Sequence, residues 1–204
     1  MPKSRKRSYH HGDLAAALLE AARAVVAESG WEAVSLRGVA RTVGVSANAS
    51  YRHFSDKAAL LHAVAEVGFR ELAERMLLVQ SRAKGRGRAA AVAHFEATGR
   101  AYFEYALDNP EMFRLMFGPL GMDHSDQDPE ETTPYNILGE ALDRLVDAGV
   151  CSIQSRPGAE LLVWTAVHGL CGLALGGAMP GARERKAALG QVLAFVVRGL
   201  AADS

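Results

Sequence analysis

The 204-residue chain is 49% hydrophobic and has no net formal charge, which is enough apolar content to bury one or two cores and too much for a disordered polymer. Zero net charge excludes a protein held to nucleic acid by bulk electrostatics alone, but the balance is uneven: residues 1–57 carry 9 Lys+Arg against 5 Asp+Glu, net +4, and the remainder 14 against 18, net −4. Two cysteines, Cys151 and Cys171, are too few for a disulfide framework and have no C-x-x-C partner for a metal, so they read as reduced cytosolic thiols.

Residues 1–8 contain Lys3, Arg5, Lys6 and Arg7 and nothing that could pack. They form a basic arm, either a solubilising tail or an added contact to phosphates and the minor groove. No apolar run precedes Asp13, so no secretory signal is expected. From about Gly12 to Ser29 the residues Leu14, Leu18, Ala21, Ala22, Val25 and Val26 mark one face of a first helix, which Gly30 ends. Trp31 and Val34 follow in a short connection, where Trp31 is expected in the core.

The stretch SLRGVARTVGVSANASYRHFSDK, residues 35–57, organises the rest. Ser35 is placed as a helix N-cap, and Leu36, Val39, Ala40 and Val43 recur at the spacing of one buried helical face. Gly44 can adopt the left-handed conformation that stops the helix in a sharp turn, and Ser46 can cap the next helix. Two short helices joined so tightly are helix-turn-helix chemistry. The second, predicted at about 47–53, offers Asn48, Ser50, Tyr51, Arg52 and His53 within two turns, as a helix laid in a major groove requires. A solvated helical hairpin in any all-α protein is the alternative. Phe54 is expected to return to the core, Ser55 to cap a third helix, and Lys57 to meet a phosphate at that helix's first turn.

Gly44, Val45, Ser46, Tyr51, His53, Phe54, Lys57 and Leu60 together closely resemble the DNA-binding domain of TetR-type transcriptional regulators, over residues 10–62. The positions matching Arg37, Ala47, Asn48, Ala49, Tyr51, His53 and Lys57 are those that usually touch DNA in that family. Ser50 stands where the family usually carries a larger apolar residue. Ser35, Ser46 and Arg52 complete the candidate interface. Ala47 and Ala49 can offer only apolar contact, for example to a thymine methyl.

A helix predicted over 56–82 uses Leu60, Leu61, Val64, Val67, Leu72 and Met76 and is long enough to link two domains. The run Lys84-Gly85-Arg86-Gly87-Arg88 reads as a loop. A fifth helix, about 89–108, holds His94, Phe95, Tyr102, Phe103 and Tyr105 and ends before Pro110. A brief helix over 111–117 bears Met112, Phe113, Leu115, Met116 and Phe117. Such density of aromatics and methionines means core, and it also suits the wall of an apolar pocket. Residues 118–134 are acidic and proline-broken, a loop in which Asp123, His124, Asp126 and Asp128 match no calcium-binding spacing.

Thr133 and Pro134 open a seventh helix to Ala148. The eighth, about 158–177, lies in a stretch without Asp, Glu, Lys or Arg from Leu161 to Ala182, long enough for a membrane span and carrying Gly172-x-x-x-Gly176. Its glycines, with Thr165 and His168, make it only moderately hydrophobic, so burial in a bundle is the preferred reading. Leu189, Val192, Leu193, Val196, Val197 and Leu200 form a stripe on the last helix. Leu161, Thr165, Gly169, Gly172, Gly176, Val192 and Val196 are therefore the candidate dimer interface, two helices from each of two chains. The resemblance agrees, since the family dimerises through its last two long helices. Trp164-x-x-x-His168-Gly169 looks like the Trp-His-Gly pattern of one C-terminal subgroup. With Phe103, Met112, Phe113, Met116 and Phe117, Trp164 and His168 are the candidate ligand contacts, although a lone histidine on an apolar helix is more often core.

No nucleophile elbow, Walker loop, zinc-protease helix, dinucleotide glycine motif or cysteine pair occurs in the sequence, so no catalysis, cofactor or metal is expected. The expected fold is all-α: a flexible arm at 1–9, a helix-turn-helix domain at 10–57 and a ligand-binding and dimerisation bundle at 58–204. The resemblance implies a cytoplasmic, homodimeric repressor that binds a palindromic operator in double-stranded DNA and is released by a small effector. A DNA-binding architectural protein without a small ligand is the alternative.

Overall fold

The computed structural model describes residues 11–82, 85–118 and 132–201, with side chains from Leu14 onward. The basic arm, His10 and the candidate acidic ligands Asp123, His124, Asp126 and Asp128 lie outside the described residues. Those described form nine α-helices and one 3-10 turn: α1 (His11–Ser29), the turn Trp31–Ala33, α2 (Leu36–Val43), α3 (Ala47–Tyr51), α4 (Lys57–Arg82), α5 (Arg88–Asp108), α6 (Pro110–Met116), α7 (Pro134–Asp147), α8 (Ala159–Leu175) and α9 (Ala182–Leu200). The all-α expectation holds.

Two compact units divide the chain, residues 1–67 with 111–123, and residues 68–110 with 124–204. The first unit therefore takes the opening turns of α4 and α6 from Glu111 onward, where the sequence reading placed its boundary at 57. In this unit Leu18, Ala22 and Val26 of α1 are buried, as are Val34, Leu36, Val39, Ala40, Leu60, Leu61 and Val64. Within α1 (Leu18, Ala22, Val26), α2 (Leu36, Val39, Ala40) and α4 (Leu60, Leu61, Val64) the buried residues recur every 3–4 positions, the spacing of one helical face. Trp31, expected in the core, is only half-buried. The Lys57 ammonium lies 5.9 Å from its ring centroid, a placement an indole face favours.

In the second unit α5 packs against α7, α8 and α9, and α8 packs against α7 and α9. Gly99 is the close approach between α5 and α9, because a Cβ there would stand 2.7 Å from Leu193 Cδ2. Gln80 donates to Thr98 Oγ1 at 3.0 Å and to the Ile137 carbonyl at 3.3 Å, tying α4, α5 and α7 together inside the unit. Arg156 donates to Asp143 at 2.7 Å and pairs with Glu160 at 2.8 Å, fastening the start of α8 to α7. Ser152 N–H donates to the Leu200 carbonyl at 2.9 Å, closing the end of α9 onto the α7–α8 connection.

The eighth helix has one buried and one exposed face. Val163, Val167, Leu170, Cys171 and Ala174 are buried, but Leu161, Leu162 and Leu173 are 57%, 67% and 53% exposed. Among the described residues, no helix is long and apolar enough to cross a membrane.

Candidate functional site

The α2–α3 corner is built by three local devices. Ser35 Oγ accepts from the Gly38 amide at 3.1 Å and Ser46 Oγ accepts from the Ala49 amide at 3.2 Å, so each helix begins on a serine cap. Between them Gly44 sits at φ 80, ψ 28, its amide bonded back to the Ala40 and Arg41 carbonyls. That left-handed conformation costs a residue with a Cβ about 1–2 kcal/mol. Ser35 and Ser46, candidates for DNA contact, thus spend an acceptor lone pair on capping and keep a hydroxyl hydrogen to donate.

The structure brings the remaining candidates together on this corner. Arg37, Asn48, Tyr51 and Arg52 are exposed, while Ala47, Ala49, His53 and Lys57 are half-buried. Ser50 is fully buried, and its hydroxyl donates to the Ala47 carbonyl at 2.7 Å. A serine therefore replaces the expected larger apolar residue without leaving a buried donor unmade.

Three details differ from the sequence reading. α3 ends at Tyr51 and passes into a turn, so Arg52 and His53 lie at its C-terminal end rather than along it. Asp56, not Ser55, caps α4, accepting from the Ala59 amide at 2.8 Å; a carboxylate complements the N-terminal dipole better than a hydroxyl. Phe54 is half-buried rather than core. Lys57 donates to the Glu32 carbonyl at 2.7 Å, so in the free chain its ammonium pins the Trp31–Ala33 turn.

The ligand candidates fall in both units. Met112, Phe113 and Met116 are buried and Phe117 is half-buried in the first, with the Phe113 and Phe117 rings 4.8 Å apart. In the second unit Phe103 is buried at 3% exposure. Trp164 and His168, one helical turn apart on α8, converge on a residue the candidate set omitted, Tyr102. Trp164 Nε1 donates to the Tyr102 hydroxyl at 2.9 Å, and that hydroxyl lies 2.9 Å from His168 Nδ1. Tyr135 closes the group edge-on to Trp164 with ring centroids 6.1 Å apart. Burial lowers His168 below the ordinary imidazole value and raises the Tyr102 phenol. His94, Thr98 and Tyr102 recur every four residues among the buried residues of α5, a polar run visible in the sequence, but one that does not say what Tyr102 meets.

Of the interface candidates, Leu161, Thr165, Gly169, Gly172 and Gly176 share the exposed face of α8. A Cβ at Gly169 or Gly172 would meet nothing within 4 Å. Val192 and Val196 are half-buried, beside the buried Leu189, Leu193 and Leu200. Leu162 and Leu173, with Phe195 at 69% exposure, extend the open apolar surface and were missed.

A family profile described as "Bacterial regulatory proteins, tetR family" matches residues 18–64, the segment that contains this corner. A second, "Tetracyclin repressor-like, C-terminal domain", matches residues 95–196. The chain belongs to the TetR family. It is thus a DNA-binding transcription regulator whose helix-turn-helix is the α2–α3 corner. Among solved structures, a protein of unknown function from Rhodococcus sp. RHA1 is 29% identical with a TM-score of 0.73, covering 97% of this chain and 100% of that one. A TetR-family transcriptional regulator from Pectobacterium atrosepticum is 23% identical with a TM-score of 0.65, covering 98% and 99%. The fold is also similar to RolR in complex with resorcinol, at 14% identity and a TM-score of 0.62, covering 95% of this chain and 90% of RolR. No curated protein matches the chain.

Proposed function

We propose that this TetR-family regulator is a cytoplasmic homodimeric repressor that reads a palindromic operator and lets go when a small apolar or amphipathic effector binds residues 58–204. The observation that carries the reading is the pairing, in one chain, of a capped helix-turn-helix with an uncovered apolar face on α8. Leu161, Leu162 and Leu173 interleaved with Thr165, Gly169, Gly172 and Gly176 are what a close helix–helix contact between two copies uses, since small residues let backbones approach. A two-fold dimer places its recognition helices about 34–36 Å apart or a multiple of that, matching successive half-sites.

On the operator, Arg37, Tyr51, Lys57 and the basic arm contact phosphates, and Ser46, Asn48, Arg52 and His53 face base edges. Control by an effector requires only that it bind one conformation better than the other. α4 contributes residues to both compact units and is one covalent route for that coupling. RolR, of similar fold, is seen with resorcinol, which supports a small-molecule effector here.

The test is genomic selection of bound fragments, followed by titration of the recovered duplex. Salt-sensitive binding to a palindrome by a dimer, weakened by a small molecule, is the expected result. Binding indifferent to every metabolite tried points instead to an architectural role. Gly172→Leu should convert the dimer to monomer by sedimentation and abolish cooperative half-site binding. An unchanged mass would remove α8 from the interface.

A further inference from the structure

We propose that Trp31 is a positioning residue for DNA binding: with the Glu32 carbonyl, it holds the Lys57 ammonium in place before a backbone phosphate arrives. The inference rests on the reading above that Lys57 meets a phosphate, and it names the residue that prepares the contact.

The three residues come from two elements that meet inside the first compact unit. Lys57 opens α4, and its Nζ donates to the Glu32 carbonyl at 2.7 Å. The same ammonium lies 5.9 Å from the centroid of the Trp31 ring, within reach of the attraction between a cation and an aromatic face. The turn that carries both partners is fixed by its own chemistry. Gly30 precedes it at φ 80, ψ 164, a conformation essentially confined to glycine. The Gly30 amide donates to the Val26 carbonyl at 2.9 Å, and the Val34 amide to the Trp31 carbonyl at 3.3 Å. Lys57 is therefore tethered to a turn held at both ends.

The tether does little for α4 itself, since a lysine at the first helical position faces the positive end of the helix dipole. Its partners are uncharged. A carboxylate would orient the ammonium and cancel its charge, whereas a carbonyl and a ring orient it and leave the charge for DNA. The Glu32 carboxylate lies instead beside Gly30, with Oε2 3.1 Å from where a Cβ would stand on that residue. Of the three ammonium hydrogens the carbonyl takes one, and a ring face requires no particular hydrogen. The Asp56 carboxylate caps α4 through the Ala59 amide at 2.8 Å, so the start of this helix already carries an anion that repels a phosphate. A cation held there offsets the repulsion continuously. Ordering a long side chain opposes binding when it happens on the DNA, and opposes folding when it happens beforehand. Trp31 and Glu32 shift that ordering into folding.

The test uses the full-length chain and measures affinity, as a function of salt, for the duplex recovered by genomic selection and for its scrambled counterpart. Phosphates carry no sequence information, so both duplexes should respond alike. Lys57→Met should weaken binding and reduce the slope of log affinity against log salt by about 0.9, one phosphate contact. Trp31→Leu should weaken binding about fivefold, the effect of ordering one long side chain on the DNA, and leave the slope unchanged because the charge is kept. Trp31→Phe restores a ring face and should recover most of the loss. Added to Lys57→Met, Trp31→Leu should have no further effect, whereas a purely structural role for Trp31 gives losses that add. Melting curves establish that each variant is folded at the titration temperature, and Trp31→Met stands in for Trp31→Leu if that variant is not. Additive losses, no recovery in Trp31→Phe, or Trp31→Leu binding like the unaltered chain overturns the proposal and leaves Lys57 as a phosphate contact. A slope unchanged by Lys57→Met removes the phosphate contact itself, and the proposal falls with it.

Discussion

Single side chains carry the sharpest energetic statements. His94 is 3% exposed on α5, and neither ring nitrogen has a hydrogen-bond partner. An unmade buried polar group costs about 1–3 kcal/mol, so His94→Leu should raise the unfolding free energy by about 1 kcal/mol, read from urea midpoints at pH 7.5. Burial, with the Arg144 charge beside it, lowers its pKa below 6.5 in the folded chain. The unfolded chain then binds more protons, and stability falls as pH drops below 6.5 and continues to fall until the folded group titrates. His94→Leu should flatten part of that decline; an unchanged acid profile would mean that the ring is not held neutral. Lys57 differs in kind, because its ammonium donates to the Glu32 carbonyl at 2.7 Å. Lys57→Met should cost the DNA-binding unit about 1 kcal/mol of stability, as well as weakening DNA binding, and a melting curve unmoved by the change would contradict the contact. Neither environment was legible in the sequence, because periodicity says that His94 faces inward but not whether a partner meets it. Ser46 and Ser35 were legible as caps because the capping bond is local, within three residues.

At the scale of elements, helix existence followed from patterning, and the ends followed from chemistry. Gly44 was placed as the turn on the ground that only glycine takes positive φ cheaply, and it sits at φ 80. Gly44→Ala should therefore destabilise the first unit by about 1–2 kcal/mol and weaken operator and scrambled DNA alike, measured by melting and by titration of both duplexes. Loss on the operator alone would mean that Gly44 acts by contact rather than by conformation. The faces of α8 were legible in part: Leu161, Thr165, Gly169, Gly172 and Gly176, the interface candidates, lie on its exposed face, whereas the run of apolar and small residues carries no polar marks to distinguish inward Val163 and Val167 from outward Leu162 and Leu173. The position of α6 was hidden for a different reason. Met112, Phe113 and Met116 read as apolar wherever they pack, and which unit they join depends on tertiary contacts that no local pattern encodes.

For the whole molecule, the charge asymmetry between residues 1–57 and the rest is a property of the sequence carried by Lys3, Arg5, Lys6 and Arg7, since residues 11–57 hold 5 Lys+Arg against 5 Asp+Glu. Family and architecture were readable from eight residues around Gly44, because a tight turn between two capped helices permits few sequences. The convergence of Tyr102 with Trp164 and His168 was not, because it joins residues more than sixty positions apart in the chain. The most direct measurement is affinity for the selected operator duplex as a function of salt, with mass determined by sedimentation in parallel. A dimer is expected to bind with affinity falling steeply as salt rises, with Tyr51→Ala weakening operator and scrambled DNA equally and Asn48→Ala chiefly relaxing preference at one base pair. A monomer, or an affinity for duplex DNA that ignores both salt and these two substitutions, would contradict it.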